Sequence, residues 1–123
     1  MKMIINTSGA DVRAVDKWKY TAFHTAAMYN PNADVIRALV EGGAVVDARA
    51  DYSFDFFDNQ RYIYKQLTPL HFAAWFNPSA DVIRALLDKG ADLDARDYIQ
   101  FTPSRWAVRS NPGQVKILID EKA

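Results

Sequence analysis

"NPNADVIRALVEGGAVVDAR", residues 30–49, recurs as "NPSADVIRALLDKGADLDAR", residues 77–96, with fourteen of twenty positions identical and no gap. The offset between them is 47 residues. Upstream of each copy, "TAFHTAA" (21–27) recurs at the same offset as "TPLHFAA" (68–74), and returns as "TPSRWAV" (102–108) after only 34 residues. A fixed period of tens of residues marks a chain of supersecondary units, each too small to bury its apolar side without a neighbour. The two intervals differ by thirteen residues, and everything outside Arg49–Thr68 aligns, so an insertion of about that length lies in that interval.

Each unit reads as two short helices. The first spans about Ala22–Tyr29, Pro69–Phe76 and Pro103–Ser110, with threonine before the first helical residue and proline at that residue in two cases. Asn-Pro follows at 30–31, 77–78 and 111–112 and breaks the chain. The second helix carries apolar residues at helical spacing: Val35, Ile36, Leu39 and Val40, then Val82, Ile83, Leu86 and Leu87, then Val115, Ile117, Leu118 and Ile119. Gly43 and Gly90 stand where a helix stops.

"TPLHFAA" followed by "DVIRALLDKGADLDAR" resembles the ankyrin repeat, matching that family's threonine-proline-leucine-histidine motif and its glycine-alanine-aspartate finger. The resemblance runs in register through three units and covers nearly all of residues 9–123. It implies an all-α solenoid of helix-turn-helix units with short β-hairpin fingers, and a binding role, usually toward another protein. The expected organisation is one domain, 1–123, with repeats at about 9–46, 47–93 and 94–123 and an enlarged finger at about 51–66. The chain departs from the family's pattern at Ala22, where proline is usual, and at Ser104 and Arg105, where leucine and histidine are usual. Lys19, Gln66 and Gln100 replace a finger glycine, so the finger turns need not keep the usual shape. Arg105, Arg109 and Ser110 make the third inner helix more polar, as a terminal repeat facing water would be.

Composition narrows the function. Fifteen basic and fifteen acidic residues cancel, which removes the field that draws in nucleic acid or an anionic membrane. There is no cysteine, hence no disulfide or thiolate chemistry, as suits a reducing compartment. The opening "MKMIINTSGA" has a four-residue apolar patch, short for a signal peptide, and no run reaches membrane-spanning length. The expectation is a cytoplasmic protein.

Two histidines, His24 and His71, each lie three residues after the capping threonine. As a metal or acid/base pair they lack a third ligand; as equivalents in successive units they read as buried, hydrogen-bonded imidazoles. The "DAR" carboxylates Asp47 and Asp94, with Arg49 and Arg96, read as finger-base hydrogen bonds and ion pairs. No glycine-rich phosphate loop, Ser-His-Asp order or metal spacing occurs. The sequence therefore points to no catalytic residue, no metal and no cofactor, and not to an enzyme.

The aromatic residues are distributed unevenly. Six of sixteen fall within "DYSFDFFDNQRYIYK", residues 51–65, which contains the insertion. "YSFDF" and "RYIYK" alternate with period two around a turn-rich centre, the pattern of an elongated β-hairpin. The family's ligand face is built from finger residues before the motif and exposed positions after its paired alanines. Carried over by position, with the insertion's aromatics, this gives Trp18, Tyr20, Tyr29, Phe54, Phe56, Tyr62, Tyr64, Trp75, Phe76, Tyr98, Phe101 and Arg109 as partner-binding candidates. Aromatic and arginine side chains dominate binding hot spots. Trp75 and Phe101 have a second reading, as packing between repeats. Six aromatics on one ribbon exceed the apolar patch a monomer leaves bare, so the finger covers its own concave surface, a partner or a second copy. The expected function is protein–protein interaction, as an inhibitor or scaffold, by a monomer, with a dimer through the finger as the other state the sequence allows. The alternative is a small-ligand or cationic-group binder using an aromatic cage.

Overall fold

The computed structural model describes residue 15 and residues 19–55, 61–114 and 116–118. Among the described residues, five α-helices fall where the repeat places them: α1 (Ala22–Tyr29), α2 (Ala33–Glu41), α3 (Pro69–Phe76), α4 (Ala80–Asp88) and α5 (Pro103–Ser110). Strands β1 (Ala50–Asp55) and β2 (Arg61–Leu67) interrupt the helical series. After α5, Pro112–Gln114 forms a single 3-10 turn and residues 116–118 are helical, with Leu118 fully buried. The fold is mostly helical, with helix-turn-helix units and one small antiparallel sheet.

Local chemistry fixes the helix starts. Thr21, Thr68 and Thr102 each accept the N–H of the residue three places on: His24, His71 and Arg105. In the first two units the histidine completes a capping box, its Nδ1 accepting the threonine N–H at 3.0 and 3.1 Å. A ring nitrogen that accepts from a backbone N–H carries no proton. The proton therefore sits on Nε2, which donates to Ala48 O at 2.7 Å and Phe101 O at 2.8 Å respectively. Both histidines are fully buried, and the structural reading of them holds. Helices α2 and α4 begin at Asn32 and Ser79 caps. They end on Gly43 and Gly90 at φ 109° and 95°, where glycine takes the left-handed conformation without a Cβ clash.

Inner helices α1, α3 and α5 pack side by side in chain order, and outer helices α2 and α4 pack on each other behind them. Between the rows lies the main core, built on Phe23, Ile36, Leu39, Leu70, Ile83, Leu86 and Leu118. Ala27, Ala73, Ala74 and Ala107 are wholly buried, since a methyl is all the space between neighbouring inner helices admits.

The Asn-Pro turns do more than break the chain. Asn77, fully buried, donates through Nδ2 to Ala27 O and Asn30 O of the preceding unit, both at 2.9 Å. Asn111 donates to Asn77 O at 2.7 Å. Asn30, Asn77 and Asn111 thus form a ladder linking the turns of successive units and satisfying carbonyls freed at helix C-termini.

The finger turns correct one expectation. Lys19, Gln66 and Gln100, which stand in for the usual glycine, do not alter the turn: all three hold the left-handed conformation, at φ 69°, 65° and 68°. Conformation is kept at the cost of strain, since a Cβ in this region costs roughly 1–2 kcal/mol. The "DAR" residues join neighbouring fingers through backbone hydrogen bonds. Arg49 Nη1 donates to Gln66 O at 2.8 Å and Arg96 O at 2.7 Å, and Asp47 Oδ1 accepts from Asp92 N at 3.0 Å.

Candidate functional site

The insertion is a β-hairpin. Its register pairs Ala50 with Leu67, Tyr52 with Tyr64, Ser53 with Ile63, Phe54 with Tyr62 and Asp55 with Arg61, with an irregularity between Ala50 and Tyr52. The outer edge of β2 meets the third finger, where Tyr98 N donates to Lys65 O at 3.2 Å and Tyr98 Oη to Ile63 O at 2.9 Å. A two-stranded ribbon is marginal alone; this one is braced along its second strand.

The base of the hairpin lies over the inner helices. Tyr52 packs on Phe72, Trp75 and Phe76 at ring-centroid separations of 6.1, 5.2 and 5.4 Å. Tyr64 meets Trp75 at 5.3 Å and Trp106 at 5.2 Å, both edge to face. Trp75 is stacked on Phe76 at 4.4 Å and on Trp106 at 4.2 Å, each with an interplanar angle of 19°. Phe101 closes the row against Trp106 at 5.4 Å. With Met28, Ala50, Leu67 and Phe72 these rings make a second apolar cluster, separate from the core between the helix rows. Centroid spacings of 4–6 Å in stacked and edge-on geometry are favourable beyond the area buried. Within its described part, the hairpin covers its own inner-helix face.

The row ends in cations. Arg105 Cζ lies 4.8 Å from the Phe101 centroid, and Arg109 Cζ lies 5.8 Å from Phe101 and 6.0 Å from Trp106. Asp97, eight residues before Arg105, is buried and engaged. Its Oδ2 accepts the Trp106 indole N–H at 2.8 Å and its Oδ1 accepts Ile99 N and Phe101 N at 3.0 and 2.9 Å. Asp97 therefore fixes the Trp106 ring and the third finger together.

At the other end of the row, two positions of α1 carry no aromatic ring. Thr25 occupies the position of Phe72 and Trp106, and Met28 that of Trp75 and Arg109. The space left is a cavity of about 240 Å³ lined by Tyr20, Thr25, Met28, Tyr29 and Tyr52. Tyr29 at its rim is 63 % exposed and reaches Phe76 at 6.3 Å. The Tyr52 hydroxyl is pushed above the usual phenol range, first by burial and second by Tyr29. It stays neutral at physiological pH.

The sequence-derived candidates divide accordingly. Tyr20, Tyr64, Trp75, Phe76 and Phe101 are half-buried within the aromatic cluster, while Tyr29, Tyr98 and Arg109 face solvent. Phe54 and Tyr62 are brought opposite each other by the register. Trp18 and Phe56 lie outside the described residues. Sequence reasoning did not single out Trp106 or Asp97 for the site, whereas Met28 falls at a position that the family's ligand face includes. Trp106 could have been found from its alignment with Phe72 at the 34-residue offset. Among the described residues no cluster of three or more His, Asp or Glu could hold a metal ion, and no helix is long and apolar enough to cross a membrane.

A family model described as ankyrin repeats (3 copies) matches residues 1–97. The match includes both copies of the long repeat and the hairpin, and stops before α5. No curated protein matches the chain. Repeats of this kind are in general protein–protein interaction modules, and typically not enzymes.

Proposed function

Since the chain belongs to the ankyrin-repeat family, we propose that it binds a partner protein through the aromatic face of its inner helices and fingers, as an inhibitor or scaffold rather than an enzyme. The observation that carries this reading is the aromatic row itself. It runs across all three inner helices, is held rigid by edge-on and stacked contacts, and ends in exposed Tyr29 on one side and Arg109 on the other. Rings fixed before binding lose little conformational entropy on binding. The cavity at the Tyr29 end is below the usual 300–1,000 Å³ of a drug-sized ligand site; it suits one anchoring side chain. The face is offered by a monomer, because Tyr52 and Tyr64 pack their rings on their own chain; a cysteine-free sequence suits a reducing compartment such as the cytoplasm.

A photo-crosslinking amino acid tests this reading. Placed at Tyr29 or Val108, it should yield the same discrete adduct with a protein of the source cell; placed at Arg37 on outer helix α2, it should yield none. Equal adducts from all three positions, or adducts only from Arg37, overturn it.

The cavity also supports a second reading, a small cationic group held among Tyr20, Tyr29 and Tyr52. Titration with tetramethylammonium, followed by tyrosine chemical shifts, distinguishes the two. Saturable shifts at these three residues favour the cation.

A further inference from the structure

We infer that the Arg105–Arg109 end of the aromatic row receives an acidic segment of the partner, with the carboxylates of two neighbouring Asp or Glu residues on the two guanidinium groups and an apolar side chain on Val108. This rests on the reading that the inner-helix face binds a protein, and it specifies the chemistry of that protein.

The chain is neutral as a whole, but its charges are segregated by row. Inner helices α1 and α3 carry no charged residue, and α5 carries only Arg105 and Arg109. Outer helices α2 and α4 hold four carboxylates, and their own arginines are paired locally: Arg37 with Asp34 at 3.2 Å and Arg84 with Asp81 at 3.5 Å. Arg105 and Arg109 have no such pairing among the described residues, and both are exposed. Asp97 does not serve, because its oxygens are taken by Trp106 and two backbone N–H groups.

The two guanidinium groups are also placed. They are one helical turn apart, and both lie over the Phe101 ring, which limits their rotation and leaves their N–H edges to a partner. A planar fork fits a carboxylate in two parallel hydrogen bonds. Val108, between them on the same exposed face, is 62 % exposed, whereas its equivalents Ala27 and Ala74 are fully buried. Cations flanking a bare branched side chain complement an acidic segment that also carries an apolar residue. A polar terminal face serving solubility alone needs neither the ring contacts nor the exposed valine.

The test is selection of binders to the whole protein from a random peptide library of about twelve residues displayed on phage, followed by fluorescence anisotropy with the selected peptides. The expected binders carry two or more Asp or Glu next to Leu, Phe or Trp. Their affinity should fall at least about tenfold for the Arg105→Gln/Arg109→Gln variant, and severalfold between about 50 and 300 mM NaCl. Arg37→Gln/Arg84→Gln should change nothing. Circular dichroism of both variants confirms that they fold. Binders without acidic enrichment, retained by the Arg105→Gln/Arg109→Gln variant, overturn the acidic-segment proposal while leaving protein recognition standing. A failure to select any binder, with no crosslinked partner at Tyr29, overturns both. Concentration-dependent dimerisation abolished by the same variant, without peptide binding, assigns this end to a second copy and overturns the proposal.

Discussion

Replacing Gln66 and Gln100 by glycine should stabilise the protein. Both residues sit at φ of 65° and 68°, and the side chains themselves contribute no described hydrogen bond. The bonds at these positions are made by backbone: Gln66 N to Asp51 Oδ1, Gln66 O from Arg49, and Gln100 N to Asp97 O. Glycine keeps all of them. It removes a left-handed strain of roughly 1–2 kcal/mol per site and returns roughly 0.5–1 kcal/mol as extra freedom in the unfolded chain. The net gain is about 0.5–1 kcal/mol per site, or about 1–2 kcal/mol for the pair if the two fingers act independently. Urea unfolding followed by tryptophan fluorescence should show the midpoint rising by about 0.7–1.3 M at an m-value near 1.5 kcal/mol/M. Gln66→Ala/Gln100→Ala is the matched control: it removes the same side chains, keeps the Cβ, and should leave the midpoint within about 0.3 M. If the glycine pair is no more stable than the alanine pair, the strain described here does not exist.

Further outcomes follow from buried polar groups. Asn77→Ala strips two carbonyls, Ala27 O and Asn30 O, of a buried donor; the loss should be about 2–4 kcal/mol by urea unfolding, with the helical circular-dichroism signature kept. Burial holds the His71 imidazole below its ordinary pKa, against smaller opposing contributions from Phe101 O and Asp97. The unfolded chain then takes up the proton first, so the stability that His71 contributes is complete above about pH 6.5 and is lost as pH falls, at up to about 1.4 kcal/mol per pH unit. His71→Ala should cost about 1–3 kcal/mol at pH 7.5 and progressively less toward pH 5; a constant difference would contradict a neutral buried imidazole. Asp97→Ala should free the Trp106 indole and two finger N–H groups, costing about 2–4 kcal/mol and shifting tryptophan emission.

Much of the fold was legible because repetition turns one sequence into three aligned observations. The thirteen-residue difference between offsets located the insertion, its period-two aromatics announced strands, and Thr-x-x-His marked both the caps and the buried imidazoles. The Asn30–Asn77–Asn111 ladder recurs at the same 47 and 34 offsets, yet Asn-Pro is a sufficient turn signal by itself, so nothing local separates a chain break from a buried bridge. The left-handed Lys19, Gln66 and Gln100 were hidden for the opposite reason: these residue types argue against the conformation that the stacked fingers impose. At the site, sequence named the rings but could not say which would face each other. Trp75 and Tyr64 lie eleven positions apart on a helix and a strand, and only the hairpin's angle over α3 brings them together. The cavity comes from what is missing, Thr25 and Met28 where the other units hold larger side chains.

The central claim is that the inserted hairpin is folded onto the protein's own aromatic face and helps to hold it. Excising Tyr52–Tyr64 restores the 34-residue interval and leaves the helix pairs contiguous. It also removes two half-buried tyrosines from contact with Phe72, Trp75, Phe76 and Trp106. Thermal unfolding of the shortened protein, with an apolar-surface dye present, measures this directly. The packing predicts a folded, helical protein that is less stable by about 3 kcal/mol or more and binds the dye through its uncovered tryptophans. An unchanged midpoint with no added dye fluorescence would contradict it.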